Sequence, residues 1–552
     1  MDLDDPAGAA LRLRHPQADV RAGGAFEGFS LEAHGKAFSC ARQTVSVAPG
    51  TIAAPGEDVM AQTALLAIDQ GTTSSRALAF DLTGRVIATA QEEFAQGYPR
   101  PGWVEHDPEV IWATVLSTAR KAFSAAEDQG YRIAALGVTN QRETTLVWDR
   151  ASGRPIHNAI VWQDRRTADS CARLRADGAE EMVAARAGLV LDPYFSATKL
   201  AWILDAVPGA RARAEAGELA FGTVESFLIW RLTGGRVHVS DATNASRTSL
   251  YNLAQGDWDD ELLRLFAIPR AVLPVVADCA GLYAETDPVI FARPVPISGA
   301  AGDQQAAAIG QACLKPGEMK STYGTGAFML VNTGDAPVRS RARLLATTAW
   351  RLGGRSSFAL EGSVLSAGAT IQWLRDGLGL ISRASEAAGL AAGADPGSGV
   401  YLVPAFSGLG APHWDPDARG IITGLTRGSG KAEIARAALD SVAYQTRDLL
   451  AAMQADGVNV STLKVDGGMA RDAGFLQRLS DLCSVETVRP VNTESTAWGA
   501  AFLAGLGAGL FSTIEDARAL WRADRSFRPE LDTAARTRLL AGWDAAVKRA
   551  LG

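Results

Sequence analysis

The sequence predicts an α/β protein of two or more domains. Three observations carry that expectation: a length of 552 residues, a strand-rich stretch from Leu65 that gives way to helices and strands, and a similar plan that restarts near Gly317. A chain this long exceeds the size at which a single hydrophobic core stops growing. Its 47% hydrophobic and 21% charged residues are those of an ordinary globular protein.

Taken in order, residues 1–62 show no sustained strand or helix period and intersperse Gly, Ala, Pro and charges, which predicts a poorly ordered extension. Asp2, Asp4 and Asp5 and the lack of an apolar run argue against a secretory or transit peptide. Met60 stands just before the first strand, so translation is expected to start there, with the preceding segment an artefact of the gene boundary. Residues 65–68, 76–81 and 85–93 then predict an antiparallel meander joined at Gly71 and at Leu82-Thr83-Gly84. A helix follows at Asp107-Pro108-Glu109, where Asp107 caps, Pro108 takes the first helical position and Trp112 faces inward. Strands are expected at 133–139 and 144–149, with Asn140-Gln141-Arg142-Glu143 between them. Residues 297–308 read as a short strand, a Gly turn and an Ala-rich helix. The second plan has strands at 319–323 and 327–332 around Gly324-Thr325-Gly326, helices near 366–378 and 431–456, and a strand ending at Val465-Asp466-Gly467-Gly468 before a helix at 475–483. The expected domains are therefore 63–311 and 312–552.

Bulk charge and rare residues narrow the function. A formal net charge of −7 gives no electrostatic reason to expect nucleic acid or an anionic membrane, so acidic substrates must be held by local sites. The five cysteines are scattered and odd in number, which fits buried thiols in a reducing cytoplasm. The six histidines are equally scattered and give little support to a zinc site or a His-centred triad. No apolar run approaches the roughly 20 residues that span a bilayer.

Chemistry concentrates in a few segments. In Asp69-Gln70-Gly71-Thr72-Thr73-Ser74-Ser75-Arg76, Gly71 lets backbone approach an anion, and the N–H groups and hydroxyls of Thr72, Thr73 and Ser74 can donate to phosphate oxygens. Asp69 can hold a hydrated Mg²⁺, and Arg76 adds a planar cation for a transferring group. An ordinary hairpin with a hydroxyl-rich tip is the alternative. A second turn of this kind, Tyr323-Gly324-Thr325-Gly326-Ala327-Phe328, suggests phosphates gripped between domains. Gly467-Gly468 would let an adenine and ribose lie against backbone, or is a plain strand-to-helix turn. Neither a Walker A sequence nor a dinucleotide fingerprint occurs at the first turn, which runs strand to strand. Asp303 stands at a helix start behind Gly302, where it either caps the helix or accepts a proton from an alcohol. Arg142 and Glu143 are either a surface ion pair or part of an acceptor pocket; Trp162 and Tyr194 are either core aromatics or its walls.

Together these segments resemble the FGGY carbohydrate kinases from about Leu65 to the C-terminus. Further marks are Gly102-Trp103-Val104-Glu105-His106-Asp107-Pro108, Asn140-Gln141-Arg142-Glu143-Thr144, Trp162-Gln163-Asp164-Arg165-Arg166-Thr167, Ser196-Ala197-Thr198-Lys199-Leu200, Gly302-Asp303-Gln304-Gln305 and Gly420-Ile421-Ile422-Thr423-Gly424-Leu425. Several are similar to the glycerol-phosphorylating branch rather than to sugar kinases generally. The resemblance implies the fold of actin and hexokinase, two ribonuclease-H-like α/β domains with a cleft between them. It also implies that Arg142, Glu143, Trp162, Tyr194, Asp303, Gln304 and Phe328 line a glycerol pocket. Thr72, Thr73, Ser74, Arg76, Thr325, Gly368, Gln372, Gly468 and Asp472 would contact ATP, and Asp69 and Asp303 would face Mg²⁺. Asp472 replaces an Asn common in the family and cannot donate to adenine in the same way. Members inhibited by fructose 1,6-bisphosphate carry a Gly-rich loop with an Arg before Pro296; this chain has Phe291-Ala292-Arg293-Pro294, so that inhibition is not expected. The implied activity is ATP-dependent phosphorylation of glycerol with Asp303 as general base, in a cytoplasmic homodimer or homotetramer. The alternatives are a kinase for another small polyol or ketose, such as erythritol or xylulose, and an actin-like ATPase switch without a polyol pocket.

Overall fold

In the computed structural model, which describes residues 62–406, 408–415 and 417–552, the first strand, β1 (Gln62–Gln70), is fully buried from Ala64 to Ile68 on both faces. A strand apolar on both sides must lie inside a sheet covered twice. The extension expected over residues 1–61, and Met60 with it, lies outside the described residues; Gln62 already belongs to β1. β2 (Ser74–Asp81) and β3 (Val86–Glu93) complete the antiparallel meander. Helix α1 (Pro108–Glu127) follows with Asp107 accepting from Glu109 N–H, as the Asp-Pro start predicts. Trp112 faces inward as expected, partly buried against the core of this half, with the Arg231 guanidinium 5.0 Å from its ring. β4 (Tyr131–Asn140) runs parallel to β1. The strand expected near 144–149 forms at Leu146–Asp149, but pairs with Leu219–Gly222 outside the main sheet.

Residues 141–279 form a largely helical insertion that includes α2 (Ser196–Ala206). The sheet resumes with β5 (Ala280–Glu285) and β6 (Pro296–Gly302), giving the order β5-β6-β4-β1-β2-β3. Helix α3 (Asp303–Gly310) leads into the second sheet.

That sheet comprises β7 (Glu318–Tyr323), β8 (Ala327–Gly334), β9 (Leu345–Leu352) and β10 (Arg355–Val364), followed by α4 (Gly368–Asp376) and α5 (Lys431–Ala455). It continues through β11 (Thr462–Asp466), α6 (Ala473–Cys483), β12 (Glu486–Pro490), α7 (Ser495–Gly507), β13 (Ala523–Phe527) and α8 (Thr533–Leu551). The strand order is β9-β10-β8-β7-β11-β12-β13. Each sheet has an antiparallel run, then two parallel strands, then an antiparallel edge, so the repeated plan expected from the sequence is a repeated topology.

Helix α1 covers one face of the first sheet, setting Ile111, Val115 and Phe123 against Leu66 and Ile68. The other face is covered by α7, which comes from the second half of the chain and sets Ala500, Ala501 and Ala504 near Leu65, Ala67 and Ala135. Small residues make this approach possible. A Cβ on Gly137 would lie 2.1 Å from Ala500 O, and one on Gly499 would lie 1.8 Å from Ala306 O. Helices α3 and α7 thus cross almost backbone to backbone, which accounts for the Ala-rich composition of residues 300–308. Among the described residues no helix is long and apolar enough to cross a membrane.

Candidate active site

The first phosphate-type turn follows β1. Gly71 N–H closes it on Ser74 O at 2.9 Å, and Gln141 Nε2 braces it from β4's end, donating to Gln70 Oε1 at 3.0 Å and Gly71 O at 3.1 Å. Trp162 Nε1 donates to Thr72 Oγ1 at 3.0 Å, so this turn and the aromatic wall are one unit. Thr73 is exposed and Ser74 half-buried at the tip. Asp69, one residue before the end of β1, has a carboxylate oxygen 3.7 Å from Arg76, which is also bonded to Glu494 at the start of α7. Burial pushes the Asp69 carboxyl up to about 6; Arg76 opposes this, while the charges of Asp303 and Glu494 add to it.

The second turn is held by backbone. Gly324 N–H donates to Gly326 O, Ala367 and Ala369 N–H both donate to Thr325 O, and Gly368 N–H donates to Gly324 O, each at 2.9 Å. The start of α4 is therefore stitched onto the turn. A Cβ on Gly326 would lie 2.8 Å from Val364 O, and one on Gly368 would lie 2.6 Å from Gly324 O. Behind the turn, Gly467 has φ +89° and a Cβ there would lie 2.5 Å from Tyr323 O, so its lack of side chain is a steric requirement. Thr325, Gln372 and Gly468 are exposed, with open space around Gly468. Asp472 stands before α6. Its carboxylate caps α6, accepting from Gly474 N–H at 2.8 Å and Phe475 N–H at 3.1 Å.

Asp303 is the first residue of α3; the cap position is Gly302, where a Cβ would lie 2.6 Å from Arg142 Cδ. The capping alternative is thereby displaced by one residue. The Asp303 side chain accepts from Gln304 N–H at 2.7 Å, lies 3.1 Å from Arg142 Nε and is about one-third exposed, at 32%. Arg142 and Glu143 are not a surface pair. Both are buried: Arg142 pairs with Asp303 and Glu361, and Glu143 accepts from Arg247 Nε at 2.6 Å. Glu143 also has φ +61°, a strained conformation of the sort that collects at functional sites. Its carbonyl is held by Ser196 Oγ at 3.0 Å from α2.

Trp162 meets Tyr194 edge-on at 5.7 Å and Phe328 at 6.0 Å between ring centroids. All three are half-buried and border a cavity of about 860 Å³, so they are walls rather than core. Phe328 comes from β8 and the other two from the insertion, so the two halves of the chain meet here. Gln304 is hydrogen-bonded by the buried Lys320 of β7, whose amine burial lowers to about 8 against the pull of Asp466 and Asp303. Away from the cleft, Arg293 donates to Glu127 and to Ile133 O and covers the Phe123 ring at 5.0 Å.

Sequence reasoning missed Arg247, Glu361, Lys199, Lys320 and Glu494. Lys199 donates to Tyr194 O at 2.7 Å, and burial lowers its amine to about 7 against Glu143 and Asp164. Glu361 has a carboxyl that burial would raise, yet Arg142 and Arg247 outweigh this and hold it below the ordinary range. One signal was available: Glu361 is a lone carboxylate directly after the apolar run Phe358-Ala359-Leu360.

The carboxylates suit a hard cation. Among the described residues no three His, Cys, Asp or Glu side chains gather as a metal cage. Asp69 and Asp303, close enough that the Asp303 charge helps raise the Asp69 carboxyl, instead offer the one or two carboxylates with which Mg²⁺ is held beside substrate phosphates.

Two sheets of ribonuclease-H-like order, each ending a central strand in a glycine turn beside the shared helix pair, define a protein of the actin and hexokinase class. Residues 64–310 match the N-terminal domain, and residues 319–508 the C-terminal domain, of the FGGY family of carbohydrate kinases. The chain is 61% identical over 485 residues to the glycerol kinase of Rhodospirillum centenum, spanning 88% of this chain and 97% of that one. It is 59% identical over 492 residues to the glycerol kinase of Methylobacterium nodulans, spanning 88% and 98%. A crystal structure of Plasmodium falciparum glycerol kinase with ADP superposes with a TM-score of 0.84 at 33% identity, covering 89% of this chain and 99% of that one. The chain belongs to the FGGY carbohydrate kinases.

Proposed function

We propose that the protein transfers the γ-phosphoryl group of ATP to a terminal hydroxyl of glycerol, giving sn-glycerol 3-phosphate and ADP. The observation that carries this is the Asp303 carboxylate, about one-third exposed and held by Arg142 Nε at 3.1 Å, with Arg142 also in electrostatic reach of Tyr194.

Phosphoryl transfer to an alcohol needs positioning more than covalent chemistry. Asp303 accepts the hydroxyl proton and aims the oxygen for in-line attack. Arg142, Glu143 and Gln304 hold glycerol's hydroxyls, while Trp162, Tyr194 and Phe328 cover its C–H edge. Thr72, Thr73, Ser74 and Thr325 donate to the ATP phosphates, with Arg76 near the transferring group. Gly368, Gln372 and Gly468 support the nucleoside, and Asp472 supports it through the start of α6. Mg²⁺ beside Asp69 and Asp303 would neutralise phosphate charge. Orientation in the cleft contributes up to about 7–11 kcal/mol in favourable cases. The family resemblance also supports a cytoplasmic homodimer or homotetramer.

ADP release measured over a panel of glycerol, erythritol and xylulose tests the reading. Glycerol should give the highest kcat/KM. A preference for another acceptor makes the protein a kinase of that substrate, and acceptor-independent ATP hydrolysis makes it a switch.

A further inference from the structure

We propose that Glu361 and Arg247 are positioning residues of the acceptor pocket, Glu361 holding Arg142 directly and Glu143 through Arg247. The proposal rests on the glycerol-phosphorylating reading of this site.

The residues form a chain of alternating charge. It starts at Asp303, whose Oδ1 lies 3.1 Å from Arg142 Nε, and passes from Arg142 Nη1 to Glu361 Oε2. Glu361 Oε1 then accepts from Arg247 Nη2 at 2.7 Å, and Arg247 Nε donates to Glu143 Oε1 at 2.6 Å. The other four residues are at most 3% exposed, whereas the Asp303 side chain is 32% exposed. Arg142 also donates to Gln305 Oε1 at 3.3 Å, which fixes its plane from a further side. A planar fork held this way presents its remaining donors in one orientation.

Folding stability is a poor explanation for the arrangement. Buried ion pairs often contribute no more than apolar groups of the same volume. Arg247 Nη1 is moreover buried without a hydrogen-bond partner among the described residues, an uncommon and unfavourable condition. What the chain does provide is registry between halves. Glu361 lies on β10 of the second sheet, whereas Arg142, Glu143 and Arg247 belong to the first half of the chain. The acceptor-binding ends are therefore set in place by a residue of the opposite sheet.

Glu361→Asp and Arg247→Lys keep each charge but shorten or blunt the bridge. Each should raise the KM for glycerol at least tenfold and leave the Kd for ATP within twofold of the unsubstituted protein, with circular dichroism reporting an intact fold. A purely structural role would lower the melting temperature without separating the two substrates. Unchanged glycerol KM in a folded variant overturns the proposal. Loss of fold in both variants also overturns it, since the network would then be a stability element. Absence of glycerol-dependent ADP release in the unsubstituted protein, by contrast, would defeat the functional reading, and the positioning roles would fall with it.

Discussion

The turn between β1 and β2 and the turn between β7 and β8 occupy equivalent places in two sheets of like order, and they are built by different means. Around the first stand Asp69, Arg76 and Glu494, and the tip hydroxyl of Thr72 is tied to Trp162. The second carries no charged residue in Tyr323-Gly324-Thr325-Gly326-Ala327-Phe328; backbone hydrogen bonds from the start of α4 and three close glycine approaches shape it. The same division runs through the proposed acceptor site, where Arg142, Glu143 and Asp303 belong to the first half and Phe328 supplies an apolar wall from the second. Under the proposed function, one half of the fold supplies the charge chemistry and the other the shape of the nucleotide site. Glu361 is the buried carboxylate of the second sheet that crosses this division.

Substitutions on the charged side should cost turnover, and those on the shaped side should cost nucleotide binding. The largest effect is expected for Asp303→Asn, which should lower kcat by at least roughly 10² with ATP affinity unchanged. Steady-state kinetics with a nucleotide-binding titration checks this, and near-normal turnover removes Asp303 from proton transfer. Asp69→Asn tests the buried carboxyl by its pH signature. Burial lifts this group from its ordinary 3.8 to about 6, so the folded protein keeps the proton after the unfolded chain has lost it. Its contribution to stability is complete below about pH 4 and is lost as pH rises through about 6. Without nucleotide or Mg²⁺, Asp69→Asn should therefore gain up to about 3 kcal/mol at pH 7 and little at pH 4, as read by urea denaturation. An equal gain at both pH values would contradict a proton-holding carboxyl.

Smaller effects separate the substrates. Arg142→Lys replaces a fork with a point charge and should raise the glycerol KM about tenfold, the ATP KM staying near its starting value. Gly368→Ala puts a Cβ 2.6 Å from Gly324 O and should displace the second turn, raising the ATP KM about fivefold and sparing glycerol. If Gly368→Ala instead raised the glycerol KM alone, the division of labour between the turns would be wrong.

What could be read from the sequence was what a short segment encodes. The Asp107-Pro108 helix start, the β1–β3 meander, both glycine turns and the Ala-rich helix after Gly302 each depend on residues close in sequence, and each is found in the fold. Contacts between distant segments could not be read. Arg142 and Glu361 are 219 residues apart, and Arg247 and Glu361 are 114 apart, so neither spacing nor period links them. Asp472 has a local role that the resemblance did not supply: one of its carboxylate oxygens caps α6, accepting from Gly474 and Phe475 N–H. The docking of α7 on the first sheet was hidden for the same reason, since the helix lies far along the chain from the strands it covers.

The most direct test of the account is ADP release by the unsubstituted protein with and without glycerol, at saturating ATP and Mg²⁺, beside Asp303→Asn. The account predicts strong stimulation by glycerol in the first and at least roughly a hundredfold less in the second. ATP hydrolysis that ignores glycerol, or equal stimulation in both proteins, would contradict it.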